Sequence, residues 1–243
     1  MHDLVIRGGT ILDGTGAASF VADVAVDGGL ITAVGQISAA GREEIDATGK
    51  LIAPGFVDIH THYDGQATWD KEMAPSSWHG VTTVVMGNCG VGFAPARKEK
   101  HEWLIGLMEG VEDIPGTALY EGMPWGSWET YPEYLDFLSG REYAINISSL
   151  VPHGAVRNYV MGDRGRTNQA ATESDLAEMG RIVEEALKAG AVGFSTSRIL
   201  VHRSIQGEPV PGTFANDAEV MVIAQALKRA GKGVFQIIPS STL

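Results

Sequence analysis

Residues 56–62 read Phe56-Val57-Asp58-Ile59-His60-Thr61-His62. An apolar run leads directly into two histidines, so the stretch reads as a strand with a polar tip. Side chains two apart on a strand point to the same face, and both imidazoles can then meet one metal ion. Taken alone, a bare His-x-His is more often two loop residues with local hydrogen bonds. Context favours the paired reading. Pro54-Gly55 sets the strand off from what precedes it, and Asp64 stands two residues beyond His62. Asp64 itself reads as a turn or cap residue rather than a ligand. Barrel enzymes place their catalytic groups at the C-terminal ends of such strands.

Upstream, residues 1–53 form short apolar runs broken by turns. Leu4 to Arg7 precedes Gly8-Gly9, and Thr10 to Leu12 precedes Asp13-Gly14. Val24-Ala25-Val26 and Leu30 to Val34 flank Asp27-Gly28-Gly29, a strong hairpin signal. Ile45 to Ile52 reads as a strand pair around a turn. This is a small all-β unit, thin for a core of its own.

Downstream the rhythm changes to alternating strand and helix over 54–243. Val81 to Met86, Tyr143 to Leu150, Ala191 to Thr196 and Gly233 to Ile238 read as further strands. Met73 to Trp78, Arg97 to Met108, Pro132 to Leu138, Thr172 to Gly190 and Ala218 to Ala230 read as helices, and 109–132 as a long loop. Thr172-Glu173-Ser174-Asp175 has a capping pattern, and Leu176, Met179, Ile182, Val183, Ala186 and Leu187 share one face. This alternation implies parallel strands with helical crossovers. About five such strands are present, whereas a closed (β/α)8 barrel has eight strands in about 250 residues. The expectation is an open doubly wound sheet or part of a longer TIM-type barrel.

Cys89 is the only cysteine, in Gly87-Asn88-Cys89-Gly90-Val91-Gly92 just past the second barrel strand. A lone cysteine is usually buried packing. This one lies in a glycine-rich turn at the same sheet end as His60 and His62, and a thiolate beside two imidazoles suits zinc. The glycine order G-x-x-G-x-G is not a dinucleotide fingerprint, and phosphate binding is set aside. His153 follows the third strand and either lines the same mouth or orders a turn. Ser195, Ser197 and Arg198 end the next strand, where hydroxyls and an arginine can hold a substrate carboxylate. His202 and Arg203 read as surface loop residues or a lid. His2, His79 and His101 have no supporting context.

The 243 residues are 44% hydrophobic and 20% charged, which excludes a disordered tail, a collagen-like fibre and a disulfide scaffold. A net charge of −12 disfavours nucleic acid and anionic membrane as partners. A single cysteine makes no internal disulfide, and Met1-His2-Asp3-Leu4 does not open a signal peptide, so a cytoplasmic location is expected. No apolar run approaches the roughly 20 residues of a membrane span.

Leu4 to Gly14 and Asp46 to His62 together resemble the opening of the amidohydrolase superfamily. His79-Gly80-Val81-Thr82-Thr83-Val84-Val85-Met86-Gly87-Asn88-Cys89-Gly90 and Gly193-Phe194-Ser195-Thr196-Ser197 are similar to its N-acyl-D-amino-acid deacylase (D-aminoacylase) branch, which uses a cysteine ligand. The resemblance implies a β-sandwich followed by a (β/α)8 barrel, with domains at 1–53 and 54–243. It implies zinc held by His60, His62 and Cys89. The implied reaction is hydrolysis of a linear amide, in which a metal-bound hydroxide attacks the carbonyl of an N-acyl amino acid. Relatives carry further metal histidines on the fifth and sixth strands and an aspartate base on the last. Here the fifth strand reads Val234-Phe235-Gln236-Ile237-Ile238, without histidine, so the general base is expected beyond Leu243 and the chain is expected to be the N-terminal part of a longer enzyme. Two alternatives stand beside this. One is a cyclic amidase of the hydantoinase or dihydroorotase kind, disfavoured because Ala191 to Thr196 has no lysine. The other is a non-catalytic barrel fragment that only binds a partner or self-associates. Unpaired strand edges predict a homo-oligomer.

Overall fold

Gly28 and Gly29 take φ values of 57° and 79° in a computed structural model that describes residues 1–240. Positive φ at both central positions is what a two-residue hairpin turn demands. It joins β2 (Phe20–Asp27) to β3 (Leu30–Gly35), with Asp27 opposite Leu30. β1 (His2–Ile11) pairs antiparallel with β2. Ile45 to Ile52 does not fold back on itself as the sequence suggests. Instead β4 (Gly41–Asp46) and β5 (Leu51–Ile52) each pair in parallel with β1, His2 opposite Gly41 and Thr10 opposite Leu51. The turn at 47–50 only carries the chain along the β1 edge, because Ala47 N–H and Thr10 N–H bond across to Arg7 O and Lys50 O. Among the described residues this unit, Met1–Phe56, contains one five-stranded sheet with a small core of Ile11, Ala22 and Val24.

The second unit, Val57–Leu243, holds the parallel sheet. Its strands are β6 (Phe56–Asp58), β7 (Val81–Met86), β8 (Asn146–Pro152), β9 (Gly193–Ser197) and β10 (Val234–Ile238). They lie side by side in chain order, and β7/β8, β8/β9 and β9/β10 pair in parallel. A doubly wound sheet reverses its strand order at a switch point. Here every crossover steps the same way, which is the winding of a barrel sheet.

Among the described residues seven α-helices serve these crossovers: α1 (His101–Glu112), α2 (Gly116–Gly122), α3 (Tyr131–Ser139), α4 (His153–Met161), α5 (Asp163–Arg166), α6 (Glu173–Ala189) and α7 (Asp217–Ala230). α6 starts where its cap predicts: Thr172 accepts from Asp175 N–H, and the Asp175 carboxylate accepts from Thr172 N–H. Its stripe of Met179, Ile182, Val183, Ala186 and Leu187 is buried, each side chain contributing on the order of 1–3 kcal/mol. Residues 109–132 are not the expected long loop. They complete α1 and hold α2, which starts after Pro115. Three aromatics there and just beyond are core: Trp128 donates to Phe93 O at 2.8 Å, Tyr131 to Ser149 Oγ at 2.7 Å and Tyr134 to Asp64 O at 2.8 Å.

Candidate metal centre

Thr61 is the anchor of the first site segment. It is buried, and its N–H and hydroxyl both donate to Val85 O, at 3.0 and 2.9 Å. Asn88 Nδ2 donates to Val85 O at 2.9 Å and to Thr61 O at 3.3 Å. The tip of β6 is thereby laced to the tip of β7, with His60 and His62 flanking the knot.

Cys89 sits in a turn, 87–90, in which three of the four residues are left-handed. Gly87 has φ of 78°, Cys89 55° and Gly90 72°. At Gly87 a Cβ would lie 2.1 Å from Leu150 O, so no side chain fits there. The turn is held from below by Ser195, whose Oγ accepts from Gly90 N–H at 3.0 Å and donates to Gly87 O.

These two segments bring three donors together. His60 Nε2 and Cys89 Sγ are 3.2 Å apart, the two imidazole rings are 5.4 Å apart, and one donor atom from each of His60, His62 and Cys89 lies within 4.8 Å of the others. Burial disfavours the charged forms of His62, Cys89, Asp64 and Glu112. Burial, then the nearby His60 and His202, push His62 down to about 4. Burial, then Glu112 and Asp64, push the Cys89 thiol up to about 12. Burial lifts Asp64 to about 7, only partly offset by the Gly87 N–H that its Oδ2 accepts at 3.1 Å. Burial, then Asp113, lifts Glu112 to about 7. His62 Nδ1 is buried and has no partner. A buried ring nitrogen without a partner, beside a second imidazole and a thiol, is what a divalent cation would satisfy, and binding it would release the thiol proton. Two nitrogens and a sulfur are a zinc-type donor set.

The four residues read as substrate contacts each have internal partners. Ser195 is fully buried and spends its hydroxyl on the Cys89 turn. His153 is not a loop residue at the mouth but the first residue of α4, buried, with Nδ1 2.8 Å from Thr196 Oγ1 and Nε2 2.7 Å from Glu219 Oε1. Burial pushes its pKa down, so it is a neutral ring donating to Glu219 and accepting from Thr196. Ser197 is buried, with Oγ 3.0 Å from His202 Nδ1, and Arg198 donates to Ala215 O at 2.8 Å. The strand end runs inward at these positions, so the hydroxyls read as substrate contacts are internal ties.

Three residues enter that the sequence did not single out for this site. Glu112, the last residue of α1, has Oε1 3.3 Å from His62 Nε2. Asp64 lies under the Cys89 turn. His202 is within electrostatic reach of His60 and His62, and burial and His60 lower its pKa. Its loop is seated on α1, where Ile205 N–H donates to Gly106 O at 3.0 Å and a Cβ on Gly110 would lie 2.4 Å from Arg203 O. No local pattern marks Glu112 and His202, because they reach the site across the fold, whereas Asp64 stands two residues from His62 and reads in sequence as a turn or cap residue.

The amidohydrolase family profile matches residues 43–242. The chain belongs to the amidohydrolase family. It is 38% identical over 195 residues to a D-aminoacylase of Alcaligenes xylosoxydans xylosoxydans, an alignment covering 80% of this chain and 37% of that protein. A D-aminoacylase structure described for its binuclear metal centre superposes with a TM-score of 0.76 at 33% identity, over 97% of this chain and 44% of that one. N-acyl-D-glutamate deacylase of Bordetella bronchiseptica, solved with zinc and a phosphonate inhibitor, gives 0.71 at 31% identity over the same shares. The chain thus spans about two fifths of the length of the relatives it matches.

Proposed function

We propose that this chain carries the metal-binding strand ends of a zinc-dependent hydrolase of linear amides acting on N-acyl-D-amino acids. The convergence of His60, His62 and Cys89 within 4.8 Å supports this most directly. Similarity to D-aminoacylase supports the substrate class. Zinc, when bound, supplies Lewis acidity toward the amide carbonyl and acidifies water. His60 and His62 offer imidazole nitrogens, and Cys89 must give up its proton. Thr61, Asn88 and Ser195 fix the backbone that presents them. We place the general base, an aspartate of the last barrel strand, outside the described residues, together with the further metal ligands, since the fifth strand offers Gln236 where a metal histidine is expected. The same reading gives the whole enzyme a (β/α)8 barrel and an N-terminal β-sandwich, divided near residue 54, working as a cytoplasmic homo-oligomer.

The test is zinc content after dialysis, for wild type and Cys89→Ala, together with hydrolysis of N-acyl-D-amino acids, their L-enantiomers and a hydantoin. The expected result is retained zinc in wild type and loss of most of it in Cys89→Ala. Wherever turnover is seen, the D-enantiomer should be preferred. Equal zinc in both proteins would refute the metal site. Preference for the hydantoin ring would transfer the reading to a cyclic amidase.

A further inference from the structure

The first four residues of β8, Asn146 to Ser149, line a cavity of about 440 Å3. None of His60, His62, Cys89, Asp64, Glu112 and His202 lines it. It lies toward the opposite end of the strand from Leu150, against whose carbonyl the Cys89 turn packs. Its volume is in the range of sites for small molecules. Leu135, Leu138, Ile145 and Ile147 give it an apolar wall. Arg141 gives it a cation. The guanidinium lies over the Phe137 ring, 5.6 Å from its centre, and beside Tyr143, whose hydroxyl donates to Ala67 O at 2.9 Å. Arg141 Nε is buried and has no acceptor, and among the described residues no carboxylate lies within ion-pair distance of this arginine. Asp136, exposed on another side of the cavity, likewise has no cation within that distance among the described residues. Two helices also end on the cavity, α3 at Ser139 and α6 at Ala189, and a helix C-terminus carries partial negative charge.

We propose that this cavity is a binding site for a free amino acid with an aliphatic side chain, its carboxylate on Arg141, its ammonium toward Asp136 and the two helix ends, and its side chain on the apolar wall. Arginine pairs with a carboxylate through charge-assisted hydrogen bonds, and this one has no such partner within the chain. A ligand with only a carboxylate would face Asp136 and the negative helix ends uncompensated. A ligand with only an ammonium would meet the Arg141 charge. A dipolar ligand satisfies both, and burial of an aliphatic side chain adds the hydrophobic contribution of the wall. A free amino acid is also what hydrolysis of an N-acyl amino acid releases. On the reading above, the ligand is therefore the reaction's own product, held away from the metal. Only that link rests on the reading above; the site itself rests on the cavity.

Two measurements test it on the full chain freed of metal, so that an amino acid has no zinc to chelate. The first is a titration with D-leucine and with L-leucine, followed by backbone amide 15N shifts. The expected result is movement within 135–149 and at 189–190, with the 87–90 turn unmoved and the D-enantiomer bound more tightly. No movement with either enantiomer, or movement confined to 60–62 and 87–90, overturns the proposal. Preference for L-leucine at the cavity overturns the link to the product. The second is affinity by titration calorimetry. Isocaproate, which lacks the ammonium, and isoamylamine, which lacks the carboxylate, should each bind more weakly than leucine. Arg141→Gln is expected to weaken leucine binding about tenfold or more and Asp136→Asn about two- to fivefold, while Glu142→Gln, beside Arg141 but off the cavity, matches wild type. Asp136 is exposed, so its variant tests the proposal even where Arg141→Gln fails to fold. Unchanged affinity in Asp136→Asn and Arg141→Gln, or isocaproate bound as tightly as leucine, overturns it. Leucine held at the cavity of a protein that takes up no zinc would refute the metal site and leave this one standing.

Discussion

A hydroxyl at a strand end is legible in sequence, but the side it faces is not. Ser195 and His153 illustrate this: both look like mouth residues on the strand-end rule, and both are buried with every polar atom engaged. The convergence of His60, His62 and Cys89 was legible because the histidines stand two apart in sequence and the cysteine follows the very next strand. Glu112 and His202 were not, since they arrive from a helix end and a docked loop. Ser195→Ala would leave Gly90 N–H without its acceptor and Gly87 O without its donor, both in a buried turn. Each orphaned group costs about 1–3 kcal/mol. The expected outcome is a chain destabilised by about 2–4 kcal/mol in urea unfolding, with weakened zinc binding because the Cys89 turn is no longer pinned. Ser195→Ala with wild-type stability and zinc affinity would return Ser195 to the list of substrate contacts.

At the scale of elements, α6 and α7 were readable because a cap and an apolar stripe are local signals, whereas α4 was not. Its stripe is mixed with His153, Arg157 and Asn158, all buried. These polar residues make sense only with α7 in place, where Glu219 accepts from His153 Nε2 and from Arg157 Nη1. Burial alone would raise the Glu219 pKa, but the bonds from His153 and Arg157 prevail and lower it, while burial lowers that of His153. Both folded pKa values lie below their ordinary values of 4.5 and 6.5, so the unfolded chain binds more protons as pH falls. Stability from this network is present above the histidine's ordinary value. It declines on acidification, first through His153 and then through Glu219. Urea midpoints measured at about pH 7 and about pH 5 should show that decline. Glu219→Gln should be destabilised by about 3–5 kcal/mol at neutral pH, because it strands the Arg157 charge, and its acid sensitivity should be flatter. Parallel pH profiles for the two proteins would mean the network contributes nothing to acid lability.

For the whole molecule, the winding of the sheet follows from chain order, and unpaired edges are expected from a strand count short of eight, but which side chains those edges expose does not show in sequence. β10 has one neighbour among the described strands and leaves Val234 at 62% and Ile237 at 42% exposure. In the first unit β3 is likewise an edge, with Leu30 and Ile31 about 70% exposed. Long apolar edges with unpaired backbone groups template association unless a charge or a covering element blunts them. Neither strand carries a charged side chain. What opposes association is the net charge of −12, a repulsion that salt screens over a Debye length of about 10 Å or less above 0.1 M. Hydrophobic edge contacts are not screened. The chain is therefore expected to self-associate, and to do so more strongly as salt is added, the opposite of an assembly held by ion pairs. Sedimentation velocity at low and high salt gives the sign directly. Val234→Lys puts a charge on the exposed edge of β10 without disturbing a buried group, and it should shift the distribution toward monomer at both salt levels. A chain that stays monomeric in high salt, or dimers that dissociate as salt rises, would show that these edges do not drive assembly.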